Sequence, residues 1–328
     1  MSSAIETQLL VKHYTPEIKA VDGIDIDVPH GSIFGFLGAN GSGKTTTVRM
    51  LTTLLRPTGG SARVDGLDIV KDAAQVRQTV GVALQEVSLD DIQTGRELLT
   101  LQSRLYGVPG SQIKERVERL LGLVDLSDAA DRLLKTYSGG MKRRLDLAAA
   151  LVHEPKIVFL DEPTTGLDPI SREAIWREIE GLNKSEGVTF FLTTQYMEEA
   201  DRLTDRVAII DAGRIIAEGS PTELKASIGT DVITVGISGG PEDVGKAQQT
   251  LAQLDGTTDV RAVGDSVVVY IRDGSTVIPR VVTLLNEASV QMEEITLKRP
   301  TLDDVFLRAT GHHMEAEEPQ QTAEGGAA

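Results

Sequence analysis

Nine consecutive residues, Gly38-Ala39-Asn40-Gly41-Ser42-Gly43-Lys44-Thr45-Thr46, have the types and spacing that hold a triphosphate. Gly38 to Thr45 fits the pattern G-x-x-x-x-G-K-[ST]. Glycines let the backbone turn and bring its N–H groups against phosphate oxygens. A helix starting near Lys44 aims the positive end of its dipole at the same place. The Lys44 ammonium neutralises β- and γ-phosphate oxygens, and the Thr45 hydroxyl is a hard oxygen suited to Mg²⁺. The pattern predicts binding of a nucleoside triphosphate, ATP, together with Mg²⁺.

Two further stretches carry matching chemistry. The apolar run Ile157–Leu160 ends in Asp161 and Glu162. At the carboxyl edge of a sheet, Asp161 would hold the Mg²⁺ water shell and Glu162 would polarise an attacking water as general base. Acidic pairs after apolar strands are common. Combined with the Lys44 loop they read as parts of one phosphoryl-transfer site. Before them, Tyr137-Ser138-Gly139-Gly140-Met141 opens a helix with Ser138 as its N-cap and Leu145, Ala148, Leu151 and Val152 along one side. Read locally this is a plain helix cap. It is also a second phosphate-binding element at a helix N-terminus.

The elements around these residues must place them together. Residues 1–30 alternate as strands, with turns near Thr15–Pro16 and Pro29–Gly31. Ile33–Leu37 is a short buried strand running into the glycine loop, and residues 44–55 have helical spacing. Residues 94–150 read as mostly helical, with breaks at Gly107–Gly110 and Ser138–Gly140. Strand and helix alternate again through Val188–Thr194 and Val207–Ala217. This alternation predicts an α/β core with a largely parallel sheet, covering about residues 1–225, with a helical subdomain at about 90–150. From 226 to 310 the order becomes βαββαβ, which suggests a small ferredoxin-like α/β domain, and Thr301–Ala309 reads as a closing helix. Residues 311–328 are polar and acidic and read as a disordered tail.

Composition narrows the partners. The chain has 328 residues, enough for more than one core. With 33 basic and 49 acidic residues it carries a formal charge of −16, the wrong sign for sequence-blind nucleic-acid binding, so no nucleic acid is expected. There is no cysteine, which excludes disulfides and thiolate metal sites. No apolar run approaches the ~20 residues of a membrane-spanning helix, and the short polar start shows no signal peptide. Work at a membrane would need a separate anchor. The five histidines show no ligand spacing.

The glycine loop, Gln85, Ser138-Gly139-Gly140, Asp161-Glu162 and Gly166-Leu167-Asp168 occur in an order and spacing that resembles the ATP-binding-cassette (ABC) ATPases over about residues 5–225. The resemblance implies a P-loop NTPase fold and a head-to-tail dimer, formed on ATP binding by two copies or by paired ABC subunits. Each ATP would meet the loop of one subunit and Ser138 and Gly140 of the other. Gln85 would contact Mg²⁺ and relay the nucleotide state to a membrane partner, and Tyr14 stands where adenine stacks. Thr94-Gly95-Arg96-Glu97, Leu101, Arg104–Gly107, the Tyr137/Met141 form of the signature and Pro300–Phe306 resemble the daunorubicin-resistance-type branch. That branch comprises bacterial drug- and lipid-export ATPases that pair with a separate integral membrane permease. It implies peripheral attachment at the cytoplasmic face of the cell membrane.

Two departures stand out. In the family a histidine follows the next strand and contacts the γ-phosphate; here Thr193-Thr194-Gln195-Tyr196 puts Gln195 in its place. Glutamine donates a neutral hydrogen bond but takes up no proton near neutral pH. Met141 stands where many members have glutamine. Glu162 is intact, so catalytic roles are expected for Glu162, Lys44, Gln195 and Asp168. The stretch 90–130 is expected to carry the groove for a permease helix, with Leu89, Ile92 and Leu98 as exposed candidates or core residues. Lys142-Arg143-Arg144 reads as a solvated helix face. A soluble ABC ATPase acting on ribosomes or DNA is the competing reading. A single cassette, no long heptad insert and the acidic balance count against it.

Overall fold

A computed structural model describes residues 3–84, 90–228 and 231–310. The chain divides into two compact units, one built on residues up to Pro221 and the other on Thr222–Arg308. No helix among the described residues is long and apolar enough to cross a membrane.

The first unit runs β1 (Ser3–His13), β2 (Lys19–Pro29), β3 (Ile33–Leu37), α1 (Lys44–Leu51), β4 (Gly59–Val64), β5 (Leu67–Asp68), α2 (Ala73–Thr79), β6 (Val80–Ala83), α3 (Gly95–Leu105), α4 (Gly110–Leu123), α5 (Gly139–Ala150), β7 (Ile157–Asp161), α6 (Pro169–Glu186), β8 (Thr189–Thr194), α7 (Met197–Leu203), β9 (Arg206–Asp211) and β10 (Arg214–Gly219). Its main sheet has the order β10-β9-β3-β8-β7-β6. The pairs β9–β3, β3–β8, β8–β7 and β7–β6 are parallel, and β10 closes one edge antiparallel to β9.

Every residue of β3, β7 and β8 is buried, as expected of parallel strands covered on both faces. The two-residue period of a strand divides them between two cores. Phe34, Phe36, Phe159 and Phe191 form one aromatic cluster with centroids 5.5–5.6 Å from Phe191. This core also holds Val48, Met50 and Leu51 of α1, and Ile5, Leu10, Val21 and Ile24 of the antiparallel sheet β2-β1-β4-β5. Val158, Leu160, Phe190 and Leu192 enter the other core with apolar residues of α3 to α6. One sheet therefore carries an antiparallel layer on one face and a helical layer on the other.

Three expectations need correction. The helix from Lys44 stops at Leu51, and Thr53 behind it has φ +64°. Residues 94–150 are mostly helical with the first break where expected, but the second break is longer than Ser138–Gly140, since 3₁₀ turns at Ser127–Ala129 and Leu134–Thr136 fill the stretch between α4 and α5. Val207–Ala217 is a hairpin. Ala212 (φ +44°) and Gly213 (φ +78°) form its two-residue turn, the primed geometry whose twist matches that of the strands.

The second unit follows α8 (Pro221–Ile228) with β11 (Asp231–Ile237), α9 (Pro241–Leu251), β12 (Thr257–Val263), β13 (Ser266–Ile271), α10 (Gly274–Glu287), β14 (Met292–Lys298) and α11 (Leu302–Thr310). The sheet order β12-β13-β11-β14 is antiparallel throughout, which is ferredoxin-like topology. Ile233, Val235 and Ile237 of β11 alternate into a core with Val244, Ala247 and Leu251 of α9 and Val281 and Leu285 of α10. The tail expected at 311–328 lies outside the described residues.

Candidate functional site

The register of the parallel sheet brings the candidate residues to one edge. Leu37 pairs with Thr194, and Thr193 pairs with Asp161. The chain leaving β3 is the Gly38 loop, the chain leaving β7 begins at Glu162, and the chain leaving β8 begins at Gln195. A bond from Gly38 N–H to the Thr194 carbonyl, 3.2 Å, fastens the loop to β8. The loop glycines are structural requirements. A Cβ on Gly43, which has φ +113°, would come within 2.3 Å of the Ala20 carbonyl oxygen, and one on Gly38 within 2.4 Å of the Ile210 carbonyl oxygen.

Lys44 is 4 % exposed. Its Nζ donates to the carbonyls of Gly38 (2.8 Å) and Ala39 (3.0 Å), and lies 3.3 Å from Glu162 Oε1. Burial pushes its pKa below the usual lysine range, against the opposing pull of Glu162 and Asp161. A phosphate oxygen offers such an ammonium a stronger acceptor than a carbonyl. Asp161 is buried. Its Oδ1 accepts from Thr193 Oγ1 (2.6 Å) and Thr45 Oγ1 (3.3 Å), while Oδ2 is buried with no hydrogen-bond partner. A hydroxyl beside a carboxylate with a spare hard oxygen fits Mg²⁺, which keeps most of its shell as water and phosphate. Among the described residues no group of three or more His, Cys, Asp or Glu forms a metal cage. Glu162 is 5 % exposed, and its Oε2 accepts from Thr165 Oγ1 (3.2 Å). Lys44 and Glu162 border a cleft of about 380 Å³, whose other lining residues are Ala20, Asn40, Gly41, Gly43, Thr45 and Thr46.

Other expected residues stand elsewhere. Ser138 is the N-cap of α5, accepting from Met141 N–H at 3.2 Å, and both Ser138 and Gly139 are exposed. Neither lines the Lys44 cleft. Gly140 is buried, and a Cβ there would come within 2.7 Å of Ser171 Oγ. Ser171 in turn donates to Asp168 Oδ2 (2.6 Å), and Asp168 caps α6 through bonds from Ile170 and Ser171 N–H. These bonds hold the Asp168 carboxyl below the usual range, the Ser171 hydroxyl contributing most. Within its own subunit Asp168 is thus occupied as a cap. Gln195 is half-buried, with Oε1 buried and without a hydrogen-bond partner. Tyr14 is 53 % exposed with Lys12 Nζ 5.4 Å from its ring centre, so it is not a core tyrosine. Gln85 and Leu89 lie outside the described residues. Ile92 is exposed and Leu98 is core.

The sequence reading missed two buried charges. Arg143 is not on a solvated face; it is 6 % exposed and donates to three backbone carbonyls, while Lys142 pairs with Asp91 at 2.7 Å. Its α5 neighbours Leu147 and Ala150 are core residues, a helical spacing that already pointed inward. Glu199 in α7 is fully buried, and its Oε1 accepts from Thr164 Oγ1 (2.8 Å) and Trp176 Nε1 (2.9 Å). Burial pushes its carboxyl upward, opposed by hydrogen bonds from Thr194, Trp176 and Thr164. Glu199 thereby connects the segments that follow β7 and β8. No local signal marked it.

Comparison with known proteins agrees with this geometry. Residues 21–165 match the ABC transporter family, and residues 219–310 match the C-terminal domain of DrrA1-3-like ATP-binding proteins. The daunorubicin/doxorubicin resistance ATP-binding protein DrrA of Streptomyces peucetius is 44% identical, covering 98% of this chain and 96% of that protein. The chain belongs to the ABC transporter ATP-binding proteins. The Nod factor export ATP-binding protein I of Cupriavidus metallidurans is 40% identical over 96% of this ABC subunit and 99% of its own length. Among solved structures, cbiO1 of Clostridium perfringens, part of the ABC transporter complex cbiONQ, superposes with a TM-score of 0.64 at 27% identity, covering 69% of this chain and 92% of that one. The ABC-type fold and the activity of a transporter ATPase follow from this membership.

Proposed function

We propose that this subunit powers outward transport of a drug-like or lipid-like cargo by a separate integral membrane permease, at the cytoplasmic face of the cell membrane. Two subunits close on two ATP molecules, and each site is shared. Lys44 and the backbone from Gly38 to Thr46 hold the phosphates of one nucleotide, with Tyr14 against its base. Thr45, Asp161 and Gln85 would hold Mg²⁺, which supplies neutralisation of phosphate charge when bound. Glu162 takes the proton of the attacking water. Ser138, Gly139 and Gly140 of the other subunit close over the γ-phosphate, beside its Asp168. The observation that carries this reading is the separation of parts: Lys44, Thr45 and Glu162 line one cleft, with Asp161 held to Thr45, while the exposed cap of α5 contributes nothing to it. The resistance and export names of the relatives support outward transport.

ATP-driven uptake into inverted vesicles holding the subunit with its cognate permease tests the proposal directly. Accumulation of an anthracycline or an amphiphilic lipid is expected. No permease co-purifying with the subunit, and no permease-stimulated ATPase, would exclude it.

Gln195 gives a second expectation. Its Oε1 is buried without a hydrogen-bond partner on the segment leaving β8, and in this reading its amide N–H₂ donates to the γ-phosphate. Gln195→Ala should lower ATP hydrolysis about tenfold, the worth of one lost polar contact in a transition state. Residue 195 should add no pH step near ~6.5 to the wild-type rate, because glutamine carries no imidazole to titrate. Unchanged ATPase in the alanine variant would remove Gln195 from the site.

A further inference from the structure

Arg143 makes contacts that the nucleotide cleft does not require. Its Nε donates to the Pro163 carbonyl (2.9 Å), Nη2 to the Asp161 carbonyl (2.8 Å), and Nη1 to the Leu84 carbonyl. Asp146, one turn along α5, lies 3.4 Å from Nη1. Two of those carbonyls flank Glu162. Glu162 itself has φ +49°, the left-handed region that side chains other than glycine rarely adopt. On the far side, the Glu162 N–H is taken by the Thr193 carbonyl (3.1 Å) and Thr193 Oγ1 (3.0 Å). The strained turn that aims Glu162 is therefore gripped between β8 and a guanidinium carried by α5. That helix begins at Ser138, little more than one turn before Arg143.

We propose that Arg143 is a positioning residue for ATP hydrolysis: it fixes the turn that aims Glu162 and makes that aim depend on where α5 sits. The proposal rests on the two-subunit reading above, in which the start of α5 meets the nucleotide held by the partner. A planar guanidinium reaches three acceptors in one fixed geometry; an ammonium does not. A small displacement of α5 moves the carbonyls of Asp161 and Pro163 together and carries Glu162 with them. Each Glu162 then becomes aligned when Ser138 of its own chain has engaged the other ATP. The two sites fire cooperatively by this intrasubunit link.

The test compares full-length wild type, Arg143→Lys, Asp146→Asn and Glu162→Gln for subunit ATP affinity, hydrolysis per bound nucleotide and Hill coefficient. Arg143→Lys should lower kcat about 10–100-fold, as expected of a misplaced reacting group. Its ATP affinity should stay within about twofold, because the phosphate contacts are untouched, and its Hill coefficient should fall toward one. A purely structural role would reduce the folded fraction and leave kcat per bound nucleotide and the Hill coefficient unchanged; that result overturns the proposal. If Arg143→Lys does not fold, Asp146→Asn decides. It keeps the guanidinium but weakens its seat, so a roughly threefold lower kcat and a reduced Hill coefficient are expected at unchanged affinity. Wild-type values for both overturn the proposal. Brisk turnover by Glu162→Gln, or a Glu162→Gln variant that stays monomeric with ATP, would instead remove the reading on which this one rests.

Discussion

Glu162→Gln should reduce multiple-turnover ATP hydrolysis by at least about a hundredfold, the usual contribution of a positioned general base. The substitution keeps the side chain's shape and an oxygen for the Thr165 hydroxyl, which bonds Glu162 at 3.2 Å. It removes the group able to accept the proton of the attacking water. ATP affinity should be retained or improved. Glu162 Oε1 lies 3.3 Å from Lys44 Nζ, so its negative charge competes with the phosphates for that ammonium and repels the γ-phosphate. Loss of that charge leaves Lys44 to the nucleotide. With binding intact and turnover blocked, the two-subunit assembly should accumulate, and light scattering with ATP should report a stable dimer. Brisk multiple turnover by the variant would refute the general-base role.

Ser138→Asp should abolish hydrolysis while leaving the folded subunit as stable as the wild type or slightly more so. The physical reason lies in the two things Ser138 can be. As a helix cap it accepts the Met141 N–H, and aspartate caps helices as well as serine does. Its charge also complements the positive end of the α5 dipole. A role confined to capping therefore predicts no loss, and a gain of a few tenths of a kcal/mol. As the lid over the partner's γ-phosphate, the same carboxylate meets a like charge at close range in a site closed to water, where repulsion costs several kcal/mol. That cost corresponds to a loss of about two or more orders of magnitude in hydrolysis and in ATP-driven dimerisation. The isolated subunit should still bind ATP, because Ser138 does not line the Lys44 cleft. Near-normal hydrolysis by Ser138→Asp would confine Ser138 to its cap.

In the proposed two-subunit reading the two substitutions probe opposite halves of a shared site, and Arg143 supplies the subunit's own route between them. Glu162 follows β7, Ser138 begins α5, and the guanidinium joins both within one chain. This arrangement also accounts for a left-handed glutamate in a buried turn. The strain is borne by bonds from β8 on one side and α5 on the other.

Much of this was legible in the sequence because the motifs are local. The phosphate loop needs glycines at fixed offsets, a lysine and a hydroxyl at the start of a helix, and an apolar strand before it. All of these are neighbours along the chain. The same holds for the apolar run ending in Asp161 and Glu162, for the Ser138 cap, and for the βαββαβ order that folds into the sheet β12-β13-β11-β14. Family membership followed from their order.

Other features depend on where distant segments meet. Composition marks Arg143 as one cation in a basic run, and only the packing of α5 against β6 brings it to the carbonyls of Leu84, Asp161 and Pro163. Glu199 reads as a surface acid of a short helix until Thr164 and Trp176, far away in sequence, close over it. The hairpin at Ala212–Gly213 was hidden because a buried strand pair and a strand followed by helix share the same apolar run. The sequence by itself determined the chemistry of the phosphate loop, since backbone and side chains within nine residues suffice to make it. Tertiary structure alone decided that Lys44 stands against Glu162 and Asp161, that Ser138 does not, and that a guanidinium grips the turn between them. Those relations join segments distant along the chain, set by sheet register and by where α1 and α5 pack rather than by any one segment.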